Sequence, residues 1–300
     1  MPGRRDTIAV AVAQPVLRAG AEENVALAME LVREAAARGA ELVLLPEVFP
    51  GPRRAEEDFD PQAGLAALAA ELGCAIAWGR IESDEGRWLV VHRVEGPDGE
   101  PLARYERTHP ATGDVNEAIT GGAWISPGAE LCVFDALGTR FGLLVCSELW
   151  QPEVARALAL GGAEVILAPA GGGFTAVGPN WELLARARAV ENECHLLLAH
   201  CRFGEQPGWA LIAGPEDLLA TAPGAELLCA ELDLARARWL REHDDSMAEP
   251  KPFRSLPGLL RARRPELYAE LAAPRPGLYD YDDPAAIRPA RRPDREGSAA

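Results

Sequence analysis

The chain has 300 residues, 48% hydrophobic and 25% charged, the make-up of a folded globular protein and not of a disordered, collagen-like or disulfide-scaffold chain. Its 46 acidic residues against 30 basic ones give a formal net charge of -16, which argues against a nucleic-acid binder, because neutralising phosphates needs a cationic face. Lys251 is the only lysine, so almost all positive charge is carried by arginine.

In chain order, Thr7 to Ala13 is a short apolar run that predicts a buried strand. Glu22 to Arg38 predicts a helix with Val25, Met29, Val32 and Ala36 on its buried stripe, ended by Gly39. Glu41 to Leu45 is a second strand, stopped by Pro46. Pro61 to Leu72 has proline at its start and Gly73 at its stop, a helix signature. Cys74 to Ile81, Trp88 to Val94 and Leu102 to Arg107 read as a three-stranded meander with a turn at Gly96 to Gly99.

His109 to Gly128 carries no periodicity, and a loop of that length in a compact domain is usually functional. Arg140 to Cys146 is a strand, Gln151 to Leu160 a helix, Glu164 to Ala168 a strand, and Gly171 to Pro179 a glycine-rich loop. Asn180 to Asn192 is a helix and His195 to Cys201 a strand, with two further strands near Trp209 to Ala213 and Ala225 to Leu232. Asp233 is placed to cap a helix running to Arg241. Alternating strands and helices predict an α/β protein, with two sheets packed face to face beneath outer helices. Residues 1–272 are expected to form one domain, and 273–300 a Pro/Arg-rich arm or disordered tail.

The six cysteines, Cys74, Cys132, Cys146, Cys194, Cys201 and Cys229, contain no C-x-x-C pair, and no histidine stands at zinc-finger spacing. No metal and no cofactor is expected, since Gly171 to Gly173 also lacks the G-K-[S/T] of a phosphate loop. The apolar run ending at Ala13 is too short for a signal sequence, and no stretch nears the ~20 apolar residues of a membrane span. The expectation is a reduced, cytoplasmic protein without membrane or nucleic-acid partners.

Three chemistry-bearing residues stand at or just past predicted strand ends: Glu47 in L-L-P-E-V-F, Arg107 in Y-E-R-T-H, and Cys146 in G-L-L-V-C-S-E-L-W. Ligands of α/β proteins bind beyond the carboxyl ends of strands, and a thiol needs a base or a cation nearby to act as a nucleophile. Each residue also has a plain reading: Cys146 as packing, Glu47 as a turn residue, Arg107 as an ion-pair residue. The other five cysteines are expected to pack as small hydrophobes.

These blocks, in this order and spacing, resemble the carbon–nitrogen hydrolase (nitrilase) superfamily. So do W-E-L-L-A-R-A-R-A-V-E-N (Trp181 to Asn192), A-E-L-D-L (Ala230 to Leu234) and R-R-P-E-L-Y (Arg263 to Tyr268). The resemblance implies a four-layer αββα sandwich and a Glu–Lys–Cys triad. It implies hydrolysis of a small amide, carbamoyl amine or nitrile through a Cys thioester, and a homodimer or higher homo-oligomer. Glu47 matches the general base and Cys146 the nucleophile, whereas Arg107 stands where the family has lysine. A guanidinium keeps the charge but is planar and forked, so it cannot place that charge as an ammonium does.

Further pocket candidates are Glu117, as a second site glutamate reached only through a loop insertion, Ser147 through its backbone N–H, Glu148, read as orienting the turn after Cys146 more than doing chemistry, and Trp150 and Gly172. Two functional readings stand: a Cys-dependent hydrolase, and a member of the fold that binds a metabolite or partner without turnover.

Overall fold

The computed structural model describes residues 3–54, 56–111, 125–171, 178–242, 260 and 263–274. Twelve strands among the described residues form two six-stranded sheets. In the first, β12 (Leu227–Asp233), β1 (Thr7–Ala13), β2 (Leu42–Leu44), β3 (Ala75–Asp84), β4 (Arg87–Glu95) and β5 (Pro101–Glu106) lie side by side in that order. The second runs β11 (Leu218–Thr221), β10 (Leu211–Ala213), β9 (His195–His200), β8 (Val165–Ala170), β7 (Thr139–Leu143), β6 (Cys132–Ala136). Its centre, β7–β8–β9, is parallel, as is β1–β2–β3 in the first sheet, and the outer pairs are antiparallel.

The alternation of side chains along each strand sorts the core into three layers. Val10, Val12, Leu42, Leu44, Phe141, Leu143, Val165, Leu167 and Leu197 fill the space between the sheets. Ala11, Val43 and Ile76 point the other way, onto α1 (Ala21–Ala37) and α2 (Gln62–Leu72). Leu144, Ile166, Leu196 and Leu198 face α3 (Pro152–Leu160) and α4 (Gly178–Asn192). The result is the expected αββα sandwich. It is pinned across layers by Glu164, which takes both prongs of Arg238 at 2.7 and 2.8 Å, with Arg238 on α5 (Leu234–Glu242). Asp233 does cap α5, accepting from the Arg236 N–H at 2.8 Å.

Several expectations need correction. The buried stripe of α1 is Leu27, Ala28, Leu31, Val32 and Ala35, while Val25, Met29 and Ala36 flank it; an alanine-rich helix offers more than one apolar face. Strands β6 and β11 were not anticipated. Both are edge strands with half-exposed alternation, so neither has the continuous apolar run of a central strand. The strand before Cys146 ends at Leu143, and Cys146–Trp150 is a 3₁₀ turn. Cys229 does not pack inside but is exposed. Beyond α5, the described residues hold a 3₁₀ turn at Pro265–Leu267 and a short α6 (Ala269–Ala272). Of the arm or tail expected over residues 273–300, residues 275–300 lie outside the described residues.

Candidate active site

The strands that run in one direction end at a common rim. Glu47 follows β2, Arg107 follows β5, Cys146 follows β7 and Gly171 follows β8. The sandwich topology thus brings together residues far apart in the chain. Arg107 Nη1 donates to Glu47 Oε1 at 2.6 Å, and each of these side chains is only 2% exposed. Arg107 Nη2 donates to Ser147 Oγ at 2.6 Å, and Nε to the His109 carbonyl at 3.0 Å. The three sequence-selected residues and Ser147 therefore belong to one constellation.

Backbone geometry marks two of these positions. Cys146 has φ 55° and Val48, next to Glu47, has φ 50°, both in the left-handed region that side-chain-bearing residues avoid. Such conformations cost on the order of 1–3 kcal/mol and persist where surrounding structure dictates them. At Cys146 the surrounding structure is Glu148, a carboxylate with no exposure. It accepts from the Val145 N–H at 2.6 Å, from Tyr105 Oη at 2.8 Å, and from the N–H groups of Thr108 and His109 at 2.8 and 3.0 Å. The Thr108 hydroxyl adds a bond at 2.6 Å. Burial alone would raise the Glu148 pKa, but the His109 contact, the Arg107 charge and the bonds from Thr108 and Val145 outweigh it and hold the carboxyl below its usual range. Glu148, expected as a binding residue, is a buried clamp that ties the Arg107 segment to the cysteine turn.

The Cys146 thiol is half-buried. Burial and the neighbouring Glu47 charge push its pKa up to about 12, against the opposing pull of Arg107 and a hydrogen bond from the Gly171 backbone. It rests as a thiol and not as a thiolate. Glu47 Oε2 is buried with no hydrogen-bond partner among the described residues. A Cβ built on Gly171 would stand 2.8 Å from that oxygen, so only glycine leaves the carboxylate its place. Gly171 thus shapes the site, and the sequence signal for it was its position directly after the buried run V-I-L-A-P-A.

Trp150 is 38% exposed and meets Trp181 edge-on at 5.9 Å, and Trp181 meets His200 in the same way at 5.9 Å. His200 pairs in register with Ala170, directly before Gly171. This aromatic wall borders the site on the α4 side. Glu117 and Gly172 lie outside the described residues. Tyr105, Thr108 and His109 were missed as site residues, although the block Y-E-R-T-H displayed them. Among the described residues no group of three or more His, Cys, Asp or Glu side chains could hold a metal ion.

Comparison with known proteins identifies the family. The model of the carbon-nitrogen hydrolase family matches residues 7–242. The chain is 30% identical over 238 residues to the omega-amidase NIT2 of Homo sapiens, covering 73% of this chain and 86% of that one. It is 29% identical over 293 residues to the human deaminated glutathione amidase, covering 88% and 85%. A carbon-nitrogen hydrolase from Helicobacter pylori G27 superposes with a TM-score of 0.74 at 23% identity, over 89% of this chain and 98% of that one. A mutant amidase from Nesterenkonia sp. AN1, with the acetamide moiety of fluoroacetamide covalently added at its active-site cysteine, superposes with a TM-score of 0.69 at 24% identity, over 89% and 98%. The shared two-sheet fold and the family match lead to one conclusion: this chain belongs to the carbon-nitrogen hydrolase family.

Proposed function

We propose that the chain hydrolyses the C–N bond of a small amide through a thioester on Cys146. The observation that carries this reading is the meeting of Glu47, Arg107 and Cys146 at one rim, with Glu47 beside the thiol and its Oε2 buried without a protein donor among the described residues. Because the thiol rests protonated, its proton must leave as sulfur attacks. Glu47 Oε2 takes that proton while Sγ bonds to the carbonyl carbon and the carbonyl π pair moves onto oxygen. Arg107 and the Ser147 backbone N–H stabilise the resulting oxyanion. One such donor is worth about 10²–10³ in rate. Collapse breaks the C–N bond, and the departing amine takes the proton back from Glu47. Water then attacks the thioester, again giving its proton to Glu47. The thiolate leaves, regains a proton, and a carboxylic acid is released.

In this reading Arg107 takes the place of the family's lysine. The Glu47 contact supports that role, because the cation sits on the base itself. Small amides are favoured by the relatives, an omega-amidase and a deaminated glutathione amidase. A fold that only binds a metabolite is not favoured, since the similar proteins are amidases, one with an active-site cysteine. The six unpaired cysteines suit a reducing, cytoplasmic setting.

We further read the exposed apolar residues of α3 and α4, Leu160 at 49% and Leu183 at 65%, as covered in a homo-oligomer, as also Leu267 at 64% and Leu271 at 67%. Light scattering at micromolar concentration tests this, and a monomer would refute it. The catalytic reading is tested by ammonia release from a panel of short primary amides, carbamoyl amines and nitriles. Turnover of at least one amide is expected, and inertness toward the whole panel would sink it.

A further inference from the structure

The cation at this site is unusually occupied. A lysine ammonium is a point charge with three donors on a flexible stem, whereas the Arg107 guanidinium is a rigid plane. Each of its three nitrogens already serves a protein acceptor: Nε the His109 carbonyl, Nη1 Glu47 Oε1 and Nη2 Ser147 Oγ. The side chain is 2% exposed. Its charge is in the site, and three of its five N–H hydrogens are held by these protein acceptors.

Ser147 stands at the end of one of those bonds. A serine hydroxyl has one proton to donate and two lone pairs to accept with. The 2.6 Å contact from Arg107 fills one lone pair. No acceptor for the hydroxyl proton is found among the described residues. Ser147 is half-exposed and directly follows the nucleophile, at the turn that the φ 55° of Cys146 creates. Accepting a bond from a cation polarises the O–H and strengthens it as a donor.

We propose that the Ser147 hydroxyl is a catalytic oxyanion donor that carries the influence of Arg107 to the substrate. The proposal rests on the amidase reading above and adds a residue to it. In the tetrahedral intermediate, Ser147 O–H and the Ser147 backbone N–H both point at the developing oxyanion, and Arg107 lies behind the hydroxyl. No proton is transferred in this step: the hydroxyl keeps its hydrogen, and the negative charge is balanced through the hydrogen bond and the cation beyond it. The pair of side chains then does jointly what an ammonium would do alone.

The plain alternative is that Ser147 merely holds Arg107 in position. The two differ in what they predict when the cation is changed. Steady-state kinetics would be measured by ammonia release on the best primary amide of a panel that includes butyramide. The enzymes compared are wild type, Ser147→Ala, Ser147→Thr, Arg107→Lys and the Arg107→Lys/Ser147→Ala double variant. For a donor acting in the transition state, Ser147→Ala lowers kcat about 10²-fold with KM within about twofold. Ser147→Thr, which keeps the hydroxyl, recovers most of that loss. In the Arg107→Lys background, where an ammonium reaches the oxyanion itself, the loss from Ser147→Ala shrinks at least tenfold. A Ser147→Ala variant with wild-type kcat overturns the inference while leaving the amidase reading intact. So does an equal loss in both backgrounds accompanied by a raised KM, which is the mark of a structural prop. A wild-type protein that releases no ammonia from any amide fails at the earlier step and removes both.

Discussion

Arg107 Nη1 lies 2.6 Å from Glu47 Oε1, and neither side chain is more than 2% exposed. The proposed general base and the cation beside it form one buried pair. Removing a partner from such a pair strands a charge and costs roughly 3–5 kcal/mol. Arg107→Ala is therefore expected to destabilise the fold by about that amount and to abolish turnover. Arg107→Lys keeps the charge and releases the fork, so its activity on simple amides should equal or exceed wild type. Denaturant titrations and kinetics of both variants check this; full activity in Arg107→Ala would make Arg107 a bystander.

Gly171 gives the next prediction. A methyl group there would stand 2.8 Å from Glu47 Oε2, and the carboxylate cannot retreat without leaving Arg107. Gly171→Ala should cut kcat by about 10²-fold or more, in keeping with the sensitivity of catalysis to ångström-scale displacement. The backbone at Gly171 is not in the left-handed region, so the substitution adds no backbone strain, and any fall in melting temperature reports the loosened Glu47–Arg107 pair. A variant with unchanged kcat would mean that Oε2 is not the proton acceptor.

Glu148 is expected to matter for architecture first. Its carboxylate accepts from Tyr105, Thr108, His109 and Val145, and each buried donor left bare costs about 1–3 kcal/mol. Glu148→Ala should lose at least about 3 kcal/mol of stability, with kcat falling because the Arg107 segment and the cysteine turn are no longer tied together. Near-native stability by urea denaturation would contradict the clamp.

Much of this was legible in the chain. Glu47, Arg107 and Cys146 could be read because each follows an apolar strand run and a recognisable block of residues. The alternation of strands and helices pointed to the layered sandwich. Glu148 could be read as orienting the turn after Cys146, but its tie to the Arg107 segment could not, because its partners Tyr105 and Thr108 lie about forty positions away and meet it only across the gap between β5 and β7. Edge strands β6 and β11 escaped for a local reason, since half-exposed strands lack an unbroken apolar run. The α1 stripe was misplaced because alanine is compatible with both faces of that helix.

Acid should destabilise the protein before its carboxylates titrate. Burial pushes the His92 pKa down to about 3 and that of His200 to about 4, although a backbone contact at Cys201 opposes the shift at His200. Unfolded, both take up protons near pH 6.5, so the unfolded state binds more protons between there and pH 4. Stability from neutral burial is complete above pH 6.5 and is lost as pH falls, by up to about 1.4 kcal/mol per pH unit for each histidine. Urea denaturation at pH 7, 6 and 5 should show this decline, and it should weaken in His200→Asn. A flat profile from pH 7 to 5 would show that these imidazoles take up protons equally in the folded and unfolded states.

The covalent role of Cys146 is the point on which the rest depends. Wild type and Cys146→Ala would be mixed with a turned-over amide, quenched in acid during the steady state, digested and analysed by mass spectrometry, with ammonia followed in parallel. The expected result is an acyl mass on the wild-type peptide carrying Cys146, and neither acyl mass nor ammonia from Cys146→Ala. Ammonia release persisting in Cys146→Ala, at more than a small fraction of the wild-type rate, would contradict the thioester mechanism.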